Sequence, residues 1–214
     1  MTCSPCSGCA EQFNQRVAAK DLRDYRKNGP KQTAVMLIDA LVTIGVGQMT
    51  LLDIGGGVGA VQHGLLDAGC IRAIAVDASP AYVGAARKEA VRRGLDSRIA
   101  FLVDDIVTAD VDAADIVTLD RVVCCYADVE ALITRSADHA LRLYGLVYPR
   151  LTRWTRLLFA ALNLTLRLRR HSFRAYLHAP CDIDRLIRQC GFAPLSSQET
   201  MVWQVALYKR VDGT

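Results

Sequence analysis

The chain has 214 residues, of which 51% are hydrophobic and 22% charged, and its formal net charge is +4. That length fits one ordinary domain, and the apolar fraction is ample for a packed core, which excludes wholesale disorder. Eight cysteines are too sparse for a disulfide-stapled secreted scaffold, and a charge of +4 is too small to argue for nucleic acid. The start, MTCSPCSGCAEQFNQR, has neither the basic nor the apolar region of a signal peptide. A cytoplasmic protein with mostly reduced thiols is expected.

The chain carries no internal repeat and no low-complexity linker. Residues 34–42 (AVMLIDALV) predict a helix, and 49–54 (MTLLDI) a strand that ends at a glycine cluster. A helix over 58–68 follows, then a second strand over 71–76 (IRAIAV) that ends at Asp77. Ser79-Pro80 starts the next helix, because Ser caps and Pro sits first inside, and Gly94 stops it after Arg93. Strand three spans 99–103, strand four 115–119, a helix 129–143 and strand five 145–148. The tail adds a helix over 182–190 and two strands, 193–200 and 203–210, with only a short link between them. Strands separated by helices require a parallel sheet with right-handed crossovers. The two late strands predict an antiparallel pair at its edge.

The sharpest motif is Asp53-Ile-Gly55-Gly56-Gly57-Val-Gly59-Ala60, between a strand and a helix. Glycines there bring backbone close to a ligand, and the following helix offers free N–H groups to an anion. Asp77, with Ala78 beside it, follows Gly57 by twenty residues at the end of strand two. A carboxylate there accepts both ribose hydroxyls. Asp104-Asp105-Ile106 ends strand three, where a carboxylate can bond an adenine amino group and the apolar residue can cover the ring. The spacing Gly55-x-Gly57-x-x-Ala60 also fits a dinucleotide fingerprint, so an NAD-linked oxidoreductase is a rival reading. So is a non-catalytic cofactor-binding protein. Acids at three successive strand ends suit a positive ligand and repel a pyrophosphate.

With Asp-x-Gly-x-Gly-x-Gly at 53–59, Asp77 and Asp105, the chain resembles class I S-adenosylmethionine-dependent methyltransferases. The resemblance implies an α/β fold: a Rossmann-like, mostly parallel seven-stranded sheet with an antiparallel edge strand, helices on both faces and a helical insertion after strand five. It implies that Asp53, Gly55, Gly57 and Gly59 lie near the methionine part of S-adenosylmethionine, Asp77 at the ribose, and Asp105 with Ile106 at adenine. The segments Arg174-Ala-Tyr-Leu-His-Ala, Asp182-Ile-Asp184-Arg185-Leu and Gly191-Phe192 are similar to the tail of magnesium-protoporphyrin IX O-methyltransferases. Gly29-Pro-Lys-Gln-Thr33 resembles the segment that encloses the cofactor in those enzymes. Residues 1–33 are therefore expected to cover the cofactor, through Tyr25, Gly29 and Thr33, ahead of a methyltransferase domain over 34–214. The acceptor implied is a small molecule, apolar and anionic, such as a porphyrin propionate. After strand four the porphyrin family tends to have a His-Tyr pair, where this chain has Cys124-Cys125-Tyr126.

In this fold the loop after strand four faces the methyl group. Tyr126 and His178 are candidates to orient an acceptor oxygen, Asp120 to position substrate or the sulfonium end, and Cys124 and Cys125 for a role in the site or plain packing. The insertion over 150–178 has seven arginines and no acid between Arg150 and Arg174. It is read as a roof over the acceptor, as a peripheral membrane contact through 153–170, or as a core helix with solvated ends. Its longest uncharged run, ten residues, is far short of the roughly 20 needed to span a bilayer. Cys3-x-x-Cys6-x-x-Cys9 has thiolate spacing for zinc or an iron centre, lacks a nearby fourth ligand, and also suits a thiol-assisted metalloid methyltransferase. His63 and His139 fall on predicted helices and are expected at the surface.

Overall fold

A computed structural model describes residues 8–211. Seven strands form one sheet: β1 (Thr50–Ile54), β2 (Arg72–Asp77), β3 (Ile99–Val103), β4 (Ala114–Asp120), β5 (Ala140–Pro149), β6 (Phe192–Glu199) and β7 (Trp203–Arg210). Their order is β3-β2-β1-β4-β5-β7-β6. The first five strands are parallel, and β7 runs antiparallel to both β5 and β6. The sequence expectation of a parallel sheet with an antiparallel edge holds.

Helices are α1 (Cys9–Gln12), α2 (Gln15–Asn28), α3 (Gln32–Ile44), α4 (Ala60–Asp67), α5 (Pro80–Arg93), α6 (Val129–Asp138), α7 (Arg153–Leu168) and α8 (Pro180–Gln189). Strand residues alternate between two apolar layers, because successive side chains leave opposite faces of the pleat. Leu52, Ile54, Val117 and Leu119 pack on the α6/α8 side. Leu51 and Ile116 pack against α3, α4 and α5. The sheet is thus buried on both faces, as parallel sheets require.

Two elements differ from the sequence expectation. The helix predicted over 129–143 ends at Asp138, and residues 140–144 are strand. Ala, Leu and Arg there are good helix formers. Pairing wins: β5 sits in register with β4 on one side and β7 on the other, and Tyr144 is buried with its hydroxyl 2.6 Å from Ser136 Oγ. The second difference is α2, for which the sequence reading assigned no element. Its marks are local: the Asn14 side chain accepts from the backbone N–H groups of Arg16 and Val17, and the Gly29 N–H closes the far end on the Tyr25 carbonyl.

One close approach fixes how α3 lies on the sheet. A Cβ on Gly145 would stand 2.8 Å from Leu37 Cδ1, and Leu37 is fully buried. Gly145→Ala is expected to destabilise the protein by about 1–3 kcal/mol through overpacking. Urea unfolding of the variant with an unchanged midpoint would refute this close packing.

Candidate active site

The strand order reverses between β1 and β4, so the loops that leave their carboxyl ends diverge and open a crevice. A cavity of about 580 Å³ occupies it. The loop after β1 forms its floor, with Gly55, Gly57 and Gly59 at φ 61°, 59° and 88°. Gly55 is required twice, since a Cβ there would also meet Val122 Cγ2 at 2.5 Å. The Gly55 N–H donates to the Val76 carbonyl at 2.7 Å and ties the loop to β2.

Asp53 lies beneath this loop, wholly buried. Its Oδ1 accepts from the Thr118 hydroxyl at 2.7 Å, whereas Oδ2 has no hydrogen-bond partner. A Cβ on Gly56 would stand 2.3 Å from that Oδ2. Burial pushes the Asp53 pKa up to about 7 against the pull of the Thr118 hydroxyl, and Asp120 and Asp77 add repulsion. Asp53 and Gly59 lie behind the cavity wall, while Gly55, Gly57, Asp77 and Ala78 line it. Asp77 accepts from the Ser79 N–H at 2.8 Å and the Gly57 N–H at 3.2 Å. Burial still raises its pKa to about 6.

Asp104 is on the wall with Ile106, whereas Asp105 is not. The Asp105 Oδ1 accepts from the Tyr126 hydroxyl at 2.7 Å and from the Val107 N–H at 3.1 Å. The sequence reading put Asp105 at the ligand; in the structure Asp104 lines the cavity, and Asp105 is bonded to the loop that carries Tyr126. Asp21, Asp24 and Asp120 complete an acid-rich wall, opposed by Lys31 and Arg121.

The helix α2 closes one side. Tyr25 and Gly29 line the cavity, and Thr33 is buried behind them. Three contacts hold the covering segment: Tyr82 Oη donates to Asp21 at 2.6 Å, Arg26 pairs with buried Glu89 at 2.7 Å, and Ser79 Oγ donates to the Phe13 carbonyl at 2.6 Å. Ala18 and Leu22 pack with Tyr82 and Ala85 beneath them.

On the other side runs the loop after β4. Arg121 takes φ 63°, a conformation that costs a non-glycine residue about 1–3 kcal/mol and concentrates at functional sites. Its guanidinium pairs with the Asp120 carboxylate at 3.1 and 3.2 Å and lies 6.0 Å from the Trp203 ring. Cys125 lines the cavity. Cys124 turns toward Phe159 and Phe173 instead. The two thiols share a hydrogen bond that lowers the Cys124 pKa and raises that of Cys125. His178 is off the wall, with Nε2 2.8 Å from the Tyr126 carbonyl, so it braces the loop.

His63 and His139 are buried, contrary to their expected place at the surface. His63 lies under Gly59 and stacks on Tyr25, with ring centroids 6.2 Å apart. Neither of its ring nitrogens, nor either side-chain end of Gln62, has a partner. Burial and the Arg93 cation lower the His63 pKa to about 4. The sequence reading also missed Phe13, Asp21, Asp24 and Arg121 at the cavity. The amphipathic spacing of Ala18, Leu22 and Tyr25 was the available signal for the covering helix. Cys3 and Cys6 lie outside the described residues, and the Cys9 sulfur is in a disulfide. Among the described residues no group of three or more His, Cys, Asp or Glu could hold a metal ion.

Residues 51–144 match the sequence family described as "Methyltransferase domain". The matched stretch holds the glycine loop, Asp77 and the end of β3. Several solved structures share the methyltransferase fold. Magnesium protoporphyrin IX methyltransferase (ChlM) from Synechocystis PCC 6803, with bound SAH, is 20% identical, with TM-score 0.76 over 97% of this chain and 100% of that one. An O-methyltransferase family protein from Burkholderia thailandensis is 22% identical, with TM-score 0.69 over 94% of this chain and 64% of that one. An O-methyltransferase family 2 protein from Planctomyces limnophilus, in complex with apigenin, is 15% identical, with TM-score 0.68 over 92% and 62%. No curated protein matches the methyltransferase in sequence. The glycine loop thus lies within the residues that match a methyltransferase domain.

Folding moves the Asp53 pKa from an ordinary 3.8 to about 7, so the folded state holds that proton more tightly. The associated stability is present at acid pH and is lost as pH rises through about 7. Asp53→Asn is expected to flatten this decline in urea-unfolding free energy against pH. Parallel profiles for the variant and the parent would contradict the assignment.

Proposed function

We propose that this methyltransferase transfers the methyl group of S-adenosylmethionine to a carboxylate oxygen of an apolar small molecule, of the porphyrin-propionate class. The residues present fit the cofactor: a cradle of positive-φ glycines, an acid at the end of β2, and the unpartnered Asp53 Oδ2 under the loop. In this reading Asp77 accepts the ribose hydroxyls, Ile106 covers adenine, Asp104 takes the place beside it, and Asp53 and Asp120 supply negative potential to the methionine end. Tyr25 and Gly29 close over the cofactor from α2 and exclude water.

When bound, S-adenosylmethionine supplies an electrophilic methyl on a cationic sulfur. Held by the glycine loop and Asp77, it would give that methyl to an acceptor oxygen and keep the carbon–sulfur electron pair on sulfur. The observation that carries the acceptor class is the wall itself. No histidine lines it among the described residues, and the Tyr126 hydroxyl is tied to Asp105 with its pKa pushed up by burial. The site therefore suits a nucleophile that arrives ionised, which a carboxylate does at neutral pH and a hydroxyl does not. Arg121, beside Phe13, Val122 and Cys125, holds Asp120 through two of its nitrogens and has its remaining N–H groups for that anion next to an apolar surface. The chain's work is positioning and desolvation. The name of the similar Synechocystis structure, a magnesium protoporphyrin IX methyltransferase, points the same way. The disulfide at Cys9 removes one thiolate that a metalloid acceptor would use.

Two measurements test this. Calorimetry with S-adenosylhomocysteine is expected to give tight binding, weakened in Asp77→Ala by about 1.5–3 kcal/mol, the range for a charge-assisted hydrogen bond. Unchanged affinity would place the ribose elsewhere. Labelled methyl transfer to porphyrin carboxylates is expected to occur, with Arg121→Leu raising KM about tenfold or more for loss of a charge-assisted pair and leaving S-adenosylhomocysteine affinity intact. Transfer to phenols but not to any carboxylate would overturn the acceptor class.

A further inference from the structure

The helix α7 turns an apolar stripe outward. It is firmly held on its inner side: Phe159 and Leu166 are buried with Cys124, Phe173 and Ala175, and Asn163 exchanges two hydrogen bonds with the backbone of Ala175 at 2.8 and 2.9 Å. Its first turn is locked by a capping box between Thr152 and Thr155. On the opposite face Trp154, Leu157, Leu158 and Leu168 recur at helical spacing and are 81%, 63%, 54% and 78% exposed. They fall within an arc of about 100°, the width of a buried face on an ordinary amphipathic helix. Among the described residues nothing covers them. Met201, 86% exposed, lies in the turn between β6 and β7, whose Val202 carbonyl accepts from the Arg150 N–H shortly before α7.

Charge selects the occupant. Arg153, Arg156 and Arg167 lie together along one flank of the stripe, and Arg169 and Arg170 follow its end. The segment 150–174 carries seven arginines and no acid. Two copies packed stripe to stripe in antiparallel orientation would set arginine against arginine, and in neither orientation does this segment offer a carboxylate to answer them. An anionic lipid surface answers both features at once: the acyl boundary takes the tryptophan and leucines, and the headgroups take the guanidinium groups. The helix is too short to cross, and among the described residues no helix is long and apolar enough to do so. We infer that α7 docks this methyltransferase onto anionic membrane surfaces by its outer face. Its inner face packs with Phe13 and Cys125, which line the cavity, so docking places the acceptor side of the cavity at the lipid boundary. The inference does not depend on which acceptor atom is methylated.

The test is flotation of the full chain with vesicles of phosphatidylcholine alone or mixed with phosphatidylglycerol. Binding is expected to the mixed vesicles, at least tenfold above the neutral ones, and to fall with salt. Replacing Arg153 and Arg156 by Gln should lower partitioning about fivefold for each charge removed. Leu157→Ser with Leu158→Ser should lower it tenfold or more, by loss of buried apolar area. Because these side chains are exposed and off the cavity, S-adenosylhomocysteine affinity should stay as in the parent, which separates this test from that of the catalytic reading. No flotation with mixed vesicles at low salt overturns the inference. So does flotation that the leucine changes leave intact. A dimer in sedimentation velocity that those changes dissolve would assign the face to a second copy instead.

Discussion

A carboxylate held out of water under a loop of glycines is the constraint from which the rest of the site follows. Asp53 sits at the end of a central strand, and only the Thr118 hydroxyl on the neighbouring strand satisfies its Oδ1. Oδ2 leaves no room for a side chain at Gly56. Burying an acid with an unanswered lone pair is expensive unless a cation or proton completes it. A proton can do so, and burial accordingly pushes the Asp53 pKa up to about 7. A ligand that brings its own positive charge would relieve the same penalty.

The acids on the cavity wall extend this principle outward. Asp21 and Asp24 come from the covering helix, Asp77 and Asp104 from the ends of β2 and β3, and Asp120 from β4. Like charges gathered at one place oppose folding, and the structure answers them with cations on the wall and behind it. Glu89 anchors Arg26 and Arg92 behind α2, and Arg121 takes up Asp120. The covering helix is thus attached through its own charges and the Tyr82–Asp21 bond as well as through the small apolar face of Ala18 and Leu22. That attachment suits an element that must let a ligand in and out.

Much of this was legible in the sequence because the relevant signals are local. The Gly55–Gly59 cluster, the Ser79-Pro80 helix start and the apolar strands each carry their meaning within a few residues. The antiparallel tail pair was readable because no helix fits between residues 200 and 203. What escaped is what depends on partners far along the chain. Residues 140–143 have helical propensity and become strand because two neighbouring strands claim them. Asp104 and Asp105 cannot be told apart by composition: which one faces the cavity depends on Tyr126, twenty-one residues on from Asp105. His63 lies on a helix that sequence reading placed correctly, yet its burial comes from Tyr25, far ahead of it in the chain.

The strand order has a bearing on synthesis. Among the described strands β6 pairs only with β7, which follows it in the chain and slots between β6 and β5. As the polypeptide emerges, β5 stands as an open, apolar rim and β6 has no place to go until β7 arrives. The nascent domain therefore presents its stickiest border for as long as some fifty residues take to be made, the interval in which chaperone capture or self-association competes with closure.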